Sequence, residues 1–330
     1  MINNQTGINF YSNPLVSVII PSYNRYETVR RTIESVLAQK CDFPFEIIIG
    51  DDKSEDNVRD LLKSFQNKYP EIIRLLFHEE NLGLGANWAK CVQECKGKYI
   101  ANCDDDDYWH NSEKLQLQVD FLENNSDFGV CHTDFRDYYK QTGKVIEEKV
   151  SDITYNIPLY KAIFEGKFKF CNSTVIYRKE LIDKYIKLED YIDKKFNLQD
   201  WMTLLIIAKY SGFYCLPVST TTLSIDNSSI TRPKSFEKLE ARMKVEEECY
   251  RYVCDIFNEE LKYDETEYKK YTYKIFINYA YLYNDFKTAK KYGIFLEKLN
   301  KRSVKVMFTK NVLLFKLYAV WFKWTQNYKF

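Results

Sequence analysis

The chain lacks the features that mark several common protein classes. Its 48 Lys and Arg residues nearly balance 47 Asp and Glu residues, so a formal net charge of +1 provides no global attraction to nucleic acid or anionic lipid. A membrane span needs roughly 18 to 20 apolar residues. The longest apolar run, residues 312–322, is 11 residues long and contains Lys316. We therefore expect neither a nucleic-acid-binding protein nor an integral membrane protein, and any charge-driven function must be local.

Cysteine and histidine are too scattered to form a zinc site or a disulfide framework. The nine Cys residues include no CxxC pair, and only three His residues occur. Cys91 and Cys95 lie four residues apart, but no His stands at the spacing that zinc ligands usually show. The first ten residues, MINNQTGINF, lack the basic and apolar regions of a signal peptide. These observations lead us to expect a reducing, cytoplasmic setting.

Short apolar runs alternate with helical patterns from Leu15 onward. The runs read LVSVII, FEIIIG, IIRLLF and KYIANC, and helices are predicted near residues 27–39, 57–68 and 85–95. This alternation is typical of right-handed βαβ units on a parallel sheet whose two faces are both covered. Ligands of such sheets bind beyond the carboxyl ends of the strands. The polar residues that directly follow each run are therefore the first candidates for a site.

The pattern changes twice further along the chain. After residue 134 it predicts a hairpin around residues 141–144, a strand near residues 174–177 and an apolar helix after Asp200. Beyond Pro233 the composition becomes rich in Lys, Glu and Tyr with helical periodicity. We therefore predict an α/β domain at residues 14–232 and a helical region at residues 233–330. The last stretch, residues 301–330, is typical of a helix packed on its own domain or of an amphipathic helix at a membrane surface.

Four consecutive carboxylates, Asp104 to Asp107, follow the predicted strand that ends at Cys103. Their mutual repulsion disfavours the fully ionised form unless a cation is near. In an extended segment, residues i and i+2 point to the same side, so Asp104 with Asp106, or Asp105 with Asp107, can coordinate one ion. Mg²⁺ or Mn²⁺ fits, because hard cations bind a few carboxylates together with waters and phosphate oxygens. A solvated acidic loop is the alternative interpretation.

Two further positions at strand ends suit a nucleotide. Asp52 follows FEIIIG, and one carboxylate there could accept hydrogen bonds from a nucleobase or a ribose hydroxyl. The alternative is that Asp52 or Ser54 caps the next helix. Tyr23 follows the first strand and could stack on a base, with ordinary packing as its alternative role.

Four motifs in order, VSVIIPSYNR, EIIIGDDKSED, NLGLGANW and GKYIANCDDDDYW, resemble family 2 of the inverting glycosyltransferases. The resemblance is strong from Val16 to Trp109, looser to Leu223, and absent from the last hundred residues. It implies a GT-A fold, which is a Rossmann-like, mixed and mostly parallel sheet flanked by helices, here followed by a C-terminal helical appendage. It also implies a nucleoside diphosphate sugar as donor, with UDP favoured. The acceptor would be a glycan or lipid-linked oligosaccharide, as in surface polysaccharide synthesis at the inner membrane face.

The resemblance also implies roles for individual residues. Asp106 would be the main ligand of the metal ion and Asp104 would contact the metal or the ribose, while Asp200 in NLQDWM would be the general base. The expected donor-binding residues are Pro21, Tyr23, Asn24, Arg25, Asp52, Asn87, Asp104 and Asp105. Asn172 and Trp201 are expected on the acceptor side, although a turn-forming Asn and a core Trp are equally ordinary roles.

The sequence departs from the family pattern at two places. Gln199 stands where an acidic neighbour of the base is common, and Glu189-Asp190-Tyr191 fits the same short pattern, so Asp190 is the alternative base. We prefer Asp200 because it precedes an apolar helix and the strand-like GFYCLP. In addition, Ala86 stands where a basic residue often precedes the position of Asn87.

Two other functions compete with glycosyl transfer. A sugar nucleotidyltransferase would need a Gly-rich loop after the first strand, and PSYNR contains no Gly. A non-catalytic scaffold of the same fold could bind nucleotide or glycan, but the acidic cluster and the candidate base argue against it.

Overall fold

The computed structural model describes residues 13–225, 235–299 and 304–329, with side chains in the last range described from 305 to 323. The chain divides into two compact units, Met1–Ile225 and Asp226–Phe330. The predicted domain boundary between residues 232 and 233 lies outside the described residues.

The first unit contains a single mixed sheet. Its strands are β1 (Val16–Ser22), β2 (Phe45–Asp51), β3 (Ile73–Phe77), β4 (Tyr99–Asn102), β5 (Tyr108–Trp109), β6 (Phe128–Tyr139), β7 (Lys144–Glu148), β8 (Ile176–Arg178) and β9 (Gly212–Ile225). Their order is β3-β2-β1-β4-β8-β6-β9-β5, and β7 pairs with β6. Pairs β1–β2, β1–β4, β2–β3 and β6–β9 are parallel, whereas β4–β8, β5–β9, β6–β7 and β6–β8 are antiparallel.

Eight helices accompany this sheet within the described part of the first unit. They are α1 (Tyr26–Leu37), α2 (Val58–Lys68), α3 (Leu84–Gln93), α4 (Lys114–Asn124), α5 (Leu159–Phe164), α6 (Lys179–Tyr185), α7 (Leu188–Asp193) and α8 (Gln199–Ile207). The predicted α/β class is confirmed, because a mixed sheet is flanked by helices. The hairpin predicted around residues 141–144 is also present, with Tyr139 opposite Lys144 and Gly143 at a φ of 68° in the turn.

The β-branched runs form strands because both faces of the sheet are covered. Every residue of β1 and β2 is buried, and so is every residue of β4. An extended backbone suits Val and Ile, and each fully buried Val or Ile side chain contributes about 1.5–3 kcal/mol of burial free energy. Their shared core also includes the apolar stripes of α1 and α2.

The register of the parallel strands brings the candidate residues to one edge. Ser22 at the end of β1 lies opposite Asp51 at the end of β2, and Ile19 lies opposite Asn102 at the end of β4. The segments that follow these three strands therefore emerge side by side. The close approach of α3 to this edge depends on Gly50, where an added Cβ would lie 2.1 Å from Asn87 Oδ1.

The second unit is helical throughout its described residues. Its helices are α9 (Phe236–Phe257), α10 (Glu265–Tyr283), α11 (Phe286–Lys298), α12 (Val304–Phe308) and α13 (Val312–Lys329). Its core is rich in aromatic side chains, among them Phe276, Tyr281, Tyr292 and Phe315. The predicted C-terminal helical region is thus confirmed. Among the described residues, no helix is both long enough and apolar enough to cross a bilayer.

Candidate active site

The four acidic residues form a tight turn between β4 and β5. The Asp107 backbone N–H donates to the carbonyl of Asp104 at 3.1 Å. Our expectation of an extended segment with alternating side chains is therefore wrong, because the chain must reverse direction within these few residues. The hydrogen-bond and ion-pair partners of each carboxylate therefore decide where it points.

Asp107 points into the protein. Its Oδ2 accepts from Ser173 Oγ at 2.7 Å and its Oδ1 accepts from the Ser224 backbone N–H at 3.1 Å. Because Asp107 has no exposed surface, we assign it the role of anchoring the turn. This arrangement removes the pair Asp105 and Asp107 as a ligand set for one ion.

Asp104 is held by an amide chain. Its Oδ1 accepts from Asn172 Nδ2 at 2.9 Å, and Asn172 Oδ1 accepts from Asn102 Nδ2 at 2.9 Å. Burial and the charge of Asp106 raise the pKa of Asp104 to about 7, whereas the bond from Asn172 lowers it. The charge of Asp200 raises it further, so Asp200 acts on the same region of space. The structure thus places Asn172 in direct contact with the acidic turn.

Asp105 and Asp106 face the loop that follows β1. Asp105 Oδ2 accepts from the Tyr23 backbone N–H at 3.1 Å, and its Oδ1 lies 3.5 Å from Arg25 Nε. The other end of the same guanidinium lies 3.3 Å from Asp106 Oδ2. Burial and Asp106 raise the pKa of Asp105 to about 8, and Arg25 opposes that rise. Arg25 is thus shared by two carboxylates of the turn.

The loop after β1 is fastened to the loop after β2. Asn24 adopts a left-handed conformation with a φ of 53°, and its N–H donates to Ser54 Oγ at 2.8 Å. Its Oδ1 accepts from the Glu55 N–H at 2.7 Å. Pro21 is buried within β1, whereas the Tyr23 side chain remains 40% exposed. The ring of Tyr23 is therefore accessible for stacking on a ligand, while Asn24 has a structural task.

Asp52 clamps the loop before α3. Its Oδ1 accepts from the Leu82 N–H at 2.6 Å and its Oδ2 accepts from the Gly83 N–H at 2.9 Å. Only 3% of the residue is exposed. A carboxylate oxygen has two lone pairs, so a further hydrogen bond to a base is chemically open. The alternative role as a helix cap is wrong for both Asp52 and Ser54, because the N-cap of α2 is Asn57 and carries no side-chain cap.

Asn87 is a buried residue of α3 that contacts the ends of two strands. Its Nδ2 donates to the carbonyl of Gly50 at 2.8 Å, and its Oδ1 lies 3.0 Å from His78 Nε2. The residue is 2% exposed. These contacts join α3 to the ends of β2 and β3, so in this structure Asn87 holds the strand edge together.

The two candidate bases differ in their surroundings. Asp200 stands in the first turn of α8, where its Oδ1 accepts from the Trp201 N–H at 2.8 Å and burial raises its pKa. Asp190 lies in α7 and forms an ion pair with Lys194 at 3.4 Å. Of the two, Asp200 is the one whose charge acts on Asp104.

Trp201 is directed toward α5. Its Nε1 donates to the carbonyl of Ile163 at 3.1 Å, and its ring centroid lies 6.2 Å from that of Phe164. These contacts are those of a packed core Trp, which was the alternative to a role in acceptor binding.

The carboxylates of the acidic turn suit a hard divalent cation that takes its remaining ligands from a phosphate group and from water. No group of three or more His, Cys, Asp or Glu residues able to hold a metal occurs among the described residues, so an all-protein cage is absent there. Mg²⁺ and Mn²⁺ are commonly bound by one or two carboxylates plus phosphate oxygens and waters. Burial and the charge of Asp106 raise the pKa of Asp104, and a cation bound beside it would favour the ionised carboxylate.

Several supporting residues were not foreseen from the sequence. Ser173, Asn102 and Ser224 orient the acidic turn, and Arg31 donates to Ser224 Oγ at 2.8 Å while its guanidinium lies 4.1 Å from the centroid of the Tyr108 ring. Ser173 adjoins the predicted Asn172, which was a usable signal. No sequence signal pointed to Ser224, because it reaches the turn only through the pairing of β9 with β5 and β6.

The chain shares sequence with known glycosyltransferases. A model of the family described as Glycosyl transferase family 2 matches residues 17–186. The chain is 32% identical over 197 residues to the putative teichuronic acid biosynthesis glycosyltransferase TuaG of Bacillus subtilis, covering 58% of this chain and 72% of TuaG. It is 33% identical over 189 residues to WfaP of Escherichia coli, a UDP-Glc:alpha-D-GlcNAc-diphosphoundecaprenol beta-1,3-glucosyltransferase, covering 54% of this chain and 67% of WfaP. Uncharacterized mycobacterial proteins are 30% identical, and the chain spans about half of their length, 47%.

Two solved structures share the fold. S. aureus TarS in complex with UDP-GlcNAc has a TM-score of 0.55 at 17% identity, covering 86% of this chain and 81% of TarS. The mannosyltransferase PcManGT of Pyrobaculum calidifontis, in complex with GDP-Man and Mn²⁺, has a TM-score of 0.52 at 14% identity, covering 96% of this chain and 85% of PcManGT.

Proposed function

Because this chain belongs to glycosyl transferase family 2, we propose that it is a metal-dependent, inverting glycosyltransferase of surface polysaccharide synthesis. It transfers a sugar from a nucleoside diphosphate sugar to a hydroxyl of a glycan or of a lipid-linked oligosaccharide. The names of two relatives support this assignment, since TuaG is described as acting in teichuronic acid biosynthesis and WfaP as acting on a diphosphoundecaprenol-linked sugar. UDP is the favoured nucleotide because WfaP uses UDP-Glc.

The donor occupies the edge formed by the ends of β1, β2 and β4. The exposed ring of Tyr23 stacks on the base, and Asp52 accepts from the base while it holds the Leu82–Gly83 backbone. Arg25, which already bridges Asp105 and Asp106, lies close enough to the acidic turn to contact the diphosphate. Asp106 and Asp104 would hold the Mg²⁺ or Mn²⁺ ion, which supplies Lewis-acid stabilisation of the leaving diphosphate when bound.

The acceptor is activated by Asp200. In its ionised form the carboxylate takes the proton of the acceptor hydroxyl as that oxygen forms a bond to the anomeric carbon. The bond from that carbon to the diphosphate oxygen breaks on the opposite side, so the anomeric configuration inverts. Asn172 stands between Asp104 and Asn102 and positions the turn, and its neighbourhood is where the acceptor enters.

A single observation carries the proposal. The loops that follow β1, β2 and β4 emerge side by side, and Arg25 after β1 bridges Asp105 and Asp106 after β4. A nucleoside diphosphate needs carboxylates for its metal ion and a cation for its phosphates at the carboxyl ends of the strands, and this edge supplies both. The candidate base Asp200 stands in the first turn of α8, where burial raises its pKa, and its charge acts on Asp104.

The reaction takes place in the cytoplasm, at the inner face of the membrane. Nucleotide sugars and the cytoplasmic ends of lipid-linked acceptors meet there. The nine cysteines form no disulfide in the structure, which supports this placement.

A two-step experiment tests the function. UDP and GDP are first compared for thermal stabilisation with and without Mn²⁺, since a ligand at 100 times its dissociation constant adds about 2.7 kcal/mol. Release of UDP from UDP-sugars is then measured with and without a lipid-diphosphate-linked sugar acceptor. We expect UDP stabilisation that depends on Mn²⁺ and acceptor-stimulated release of UDP.

The competing functions predict different results. A scaffold would show the Mn²⁺-dependent stabilisation without any UDP release. A sugar nucleotidyltransferase would release pyrophosphate from a nucleoside triphosphate and a sugar 1-phosphate. The variant Asp106→Asn provides the control for the metal, and it should lose the Mn²⁺ dependence of both signals.

A further inference from the structure

Helix α13 uses one of its faces to complete the core of the second unit. Phe315, Ala319 and Phe322 are almost fully buried. The ring of Phe315 stacks on Tyr281, with centroids 4.9 Å apart, and Phe322 lies 5.7 Å from the same ring. The packing role considered for this helix is therefore real, but it accounts for only one side of it.

The other side of α13 is apolar and exposed. We call the set Leu313, Leu317, Val320 and Trp321 the apolar face, and its members are 65%, 62%, 69% and 51% exposed. A helix advances about 100° per residue, so these four positions fall on a single arc opposite Phe315 and Phe322. Scattered exposed apolar residues are ordinary, but a contiguous patch of four large ones usually marks an interaction surface.

The sequence segment that contains this helix carries charge of one sign. Residues 298–330 contain no Asp or Glu but eight basic residues, which are Lys298, Lys301, Arg302, Lys305, Lys310, Lys316, Lys323 and Lys329. The whole chain carries a net charge of only +1, so the remainder of the chain is net negative. Positive charge is thus concentrated in the same part of the sequence as α13, although Lys310 pairs with Glu297 at 2.7 Å. Lys316 is exposed and, by helical geometry, flanks the apolar face together with Lys323.

We propose that the apolar face of α13 inserts into the interfacial layer of an anionic membrane while the surrounding lysines contact lipid phosphates. An amphipathic helix of this composition lies in the plane of the interface, and each basic residue near the surface adds to the attraction. A second copy of this chain is a poorer occupant, because a symmetric contact would bring two sets of lysines together. The inference does not depend on the reaction proposed above.

The experiment uses the full chain and vesicles of known composition. Sedimentation is measured with vesicles of phosphatidylcholine alone and with vesicles that also contain phosphatidylglycerol. We expect binding at least about tenfold tighter to the anionic vesicles, and weaker binding at high salt. The double variant Leu317→Ser, Val320→Ser should lose at least about tenfold in affinity. The double variant Lys316→Glu, Lys323→Glu should lose the preference for anionic lipid.

A matched control separates this face from general surface hydrophobicity. Leu282 in α10 and Ile294 in α11 are also exposed, at 36% and 45%, but lie on other helices of the same unit. The double variant Leu282→Ser, Ile294→Ser should bind vesicles like the wild type. Circular dichroism checks that all variants are folded.

Three results would overturn the proposal. They are absence of wild-type binding to anionic vesicles, unchanged binding of the Leu317→Ser, Val320→Ser variant when folded, and equal loss in the control variant. Light scattering tests the alternative that a second copy of the chain covers the apolar face. A dimer that is lost in the Leu317→Ser, Val320→Ser variant and does not bind vesicles would assign the face to self-association.

Discussion

Replacing Asp200 with Asn tests the assignment of the base most directly. The substitution keeps the shape of the side chain and an oxygen that can still accept from the Trp201 N–H, a bond of 2.8 Å in the wild type. It removes the ability to take a proton. Because burial raises the pKa of Asp200, the ionised carboxylate is an unfavourable group at this position in the folded state. We therefore expect no loss of stability from the neutral variant.

The expected loss of activity follows from the role. A positioned general base contributes about 100- to 10,000-fold to a rate, which corresponds to roughly 3 to 5 kcal/mol of activation free energy. The turnover number should fall by that factor. Stabilisation by UDP and Mn²⁺ should be largely retained, because the proposed metal ligands are Asp104 and Asp106, and Asp200 affects the pKa of Asp104 less than burial and Asp106 do. Initial rates of UDP release and thermal shifts measure the two quantities on the same preparation.

Asp190→Asn is the matched control. It makes the same chemical change at the other candidate, which is 30% exposed and paired with Lys194. We expect activity close to that of the wild type. Full turnover by Asp200→Asn would refute the reasoning, and so would a severe loss confined to Asp190→Asn.

Two further predictions concern residues that support the fold and the turn. Asn172→Ala should lower kcat/KM by about tenfold with little change in melting temperature, because Asp104 loses a donor at 2.9 Å; unchanged kinetics would contradict a positioning role. Burial lowers the pKa of His132 from 6.5 to about 4, so the unfolded state takes up a proton first as the pH falls. The contribution of His132 to the free energy of unfolding should therefore decrease from pH 6.5 to 4, by up to about 3 kcal/mol, whereas the raised pKa values of Asp104 and Asp105 act in the opposite direction. The test is the difference between the wild type and His132→Phe in urea titrations across this range, and a difference that does not change with pH would contradict it.

Local sequence was sufficient to predict β1 to β4 and the three helices between them, but it did not predict α4 to α7. The runs that became β1, β2, β3 and β4 were identified because apolar β-branched residues prefer an extended, doubly covered strand. The parallel pairing of these strands then carried the polar residues at their ends to one edge. That reasoning brought Tyr23, Asp52 and Asp104 together without any tertiary information.

The direction of individual side chains was beyond such reasoning. Alternation along a strand predicted where four aspartates would point, but a turn closed by Asp104 and Asp107 replaced the strand. Asn87 proved to be a buried connector, because Gly50 allows α3 to approach β2 closely. Each of these outcomes depends on partners that lie far away in the chain.

The sequence alone therefore determined the α/β class, the order of the first four strands and the three helices between them, the strand ends that form the site and the basic, aromatic character of the last helix. Only the tertiary structure decided that Asp107 turns inward onto Ser173 and Ser224, that Asp200 acts on Asp104, and that α13 buries one apolar face while exposing another. Periodicity and propensity are local properties of a chain, whereas burial, hydrogen-bond partners and electrostatic fields arise from segments that meet only after folding.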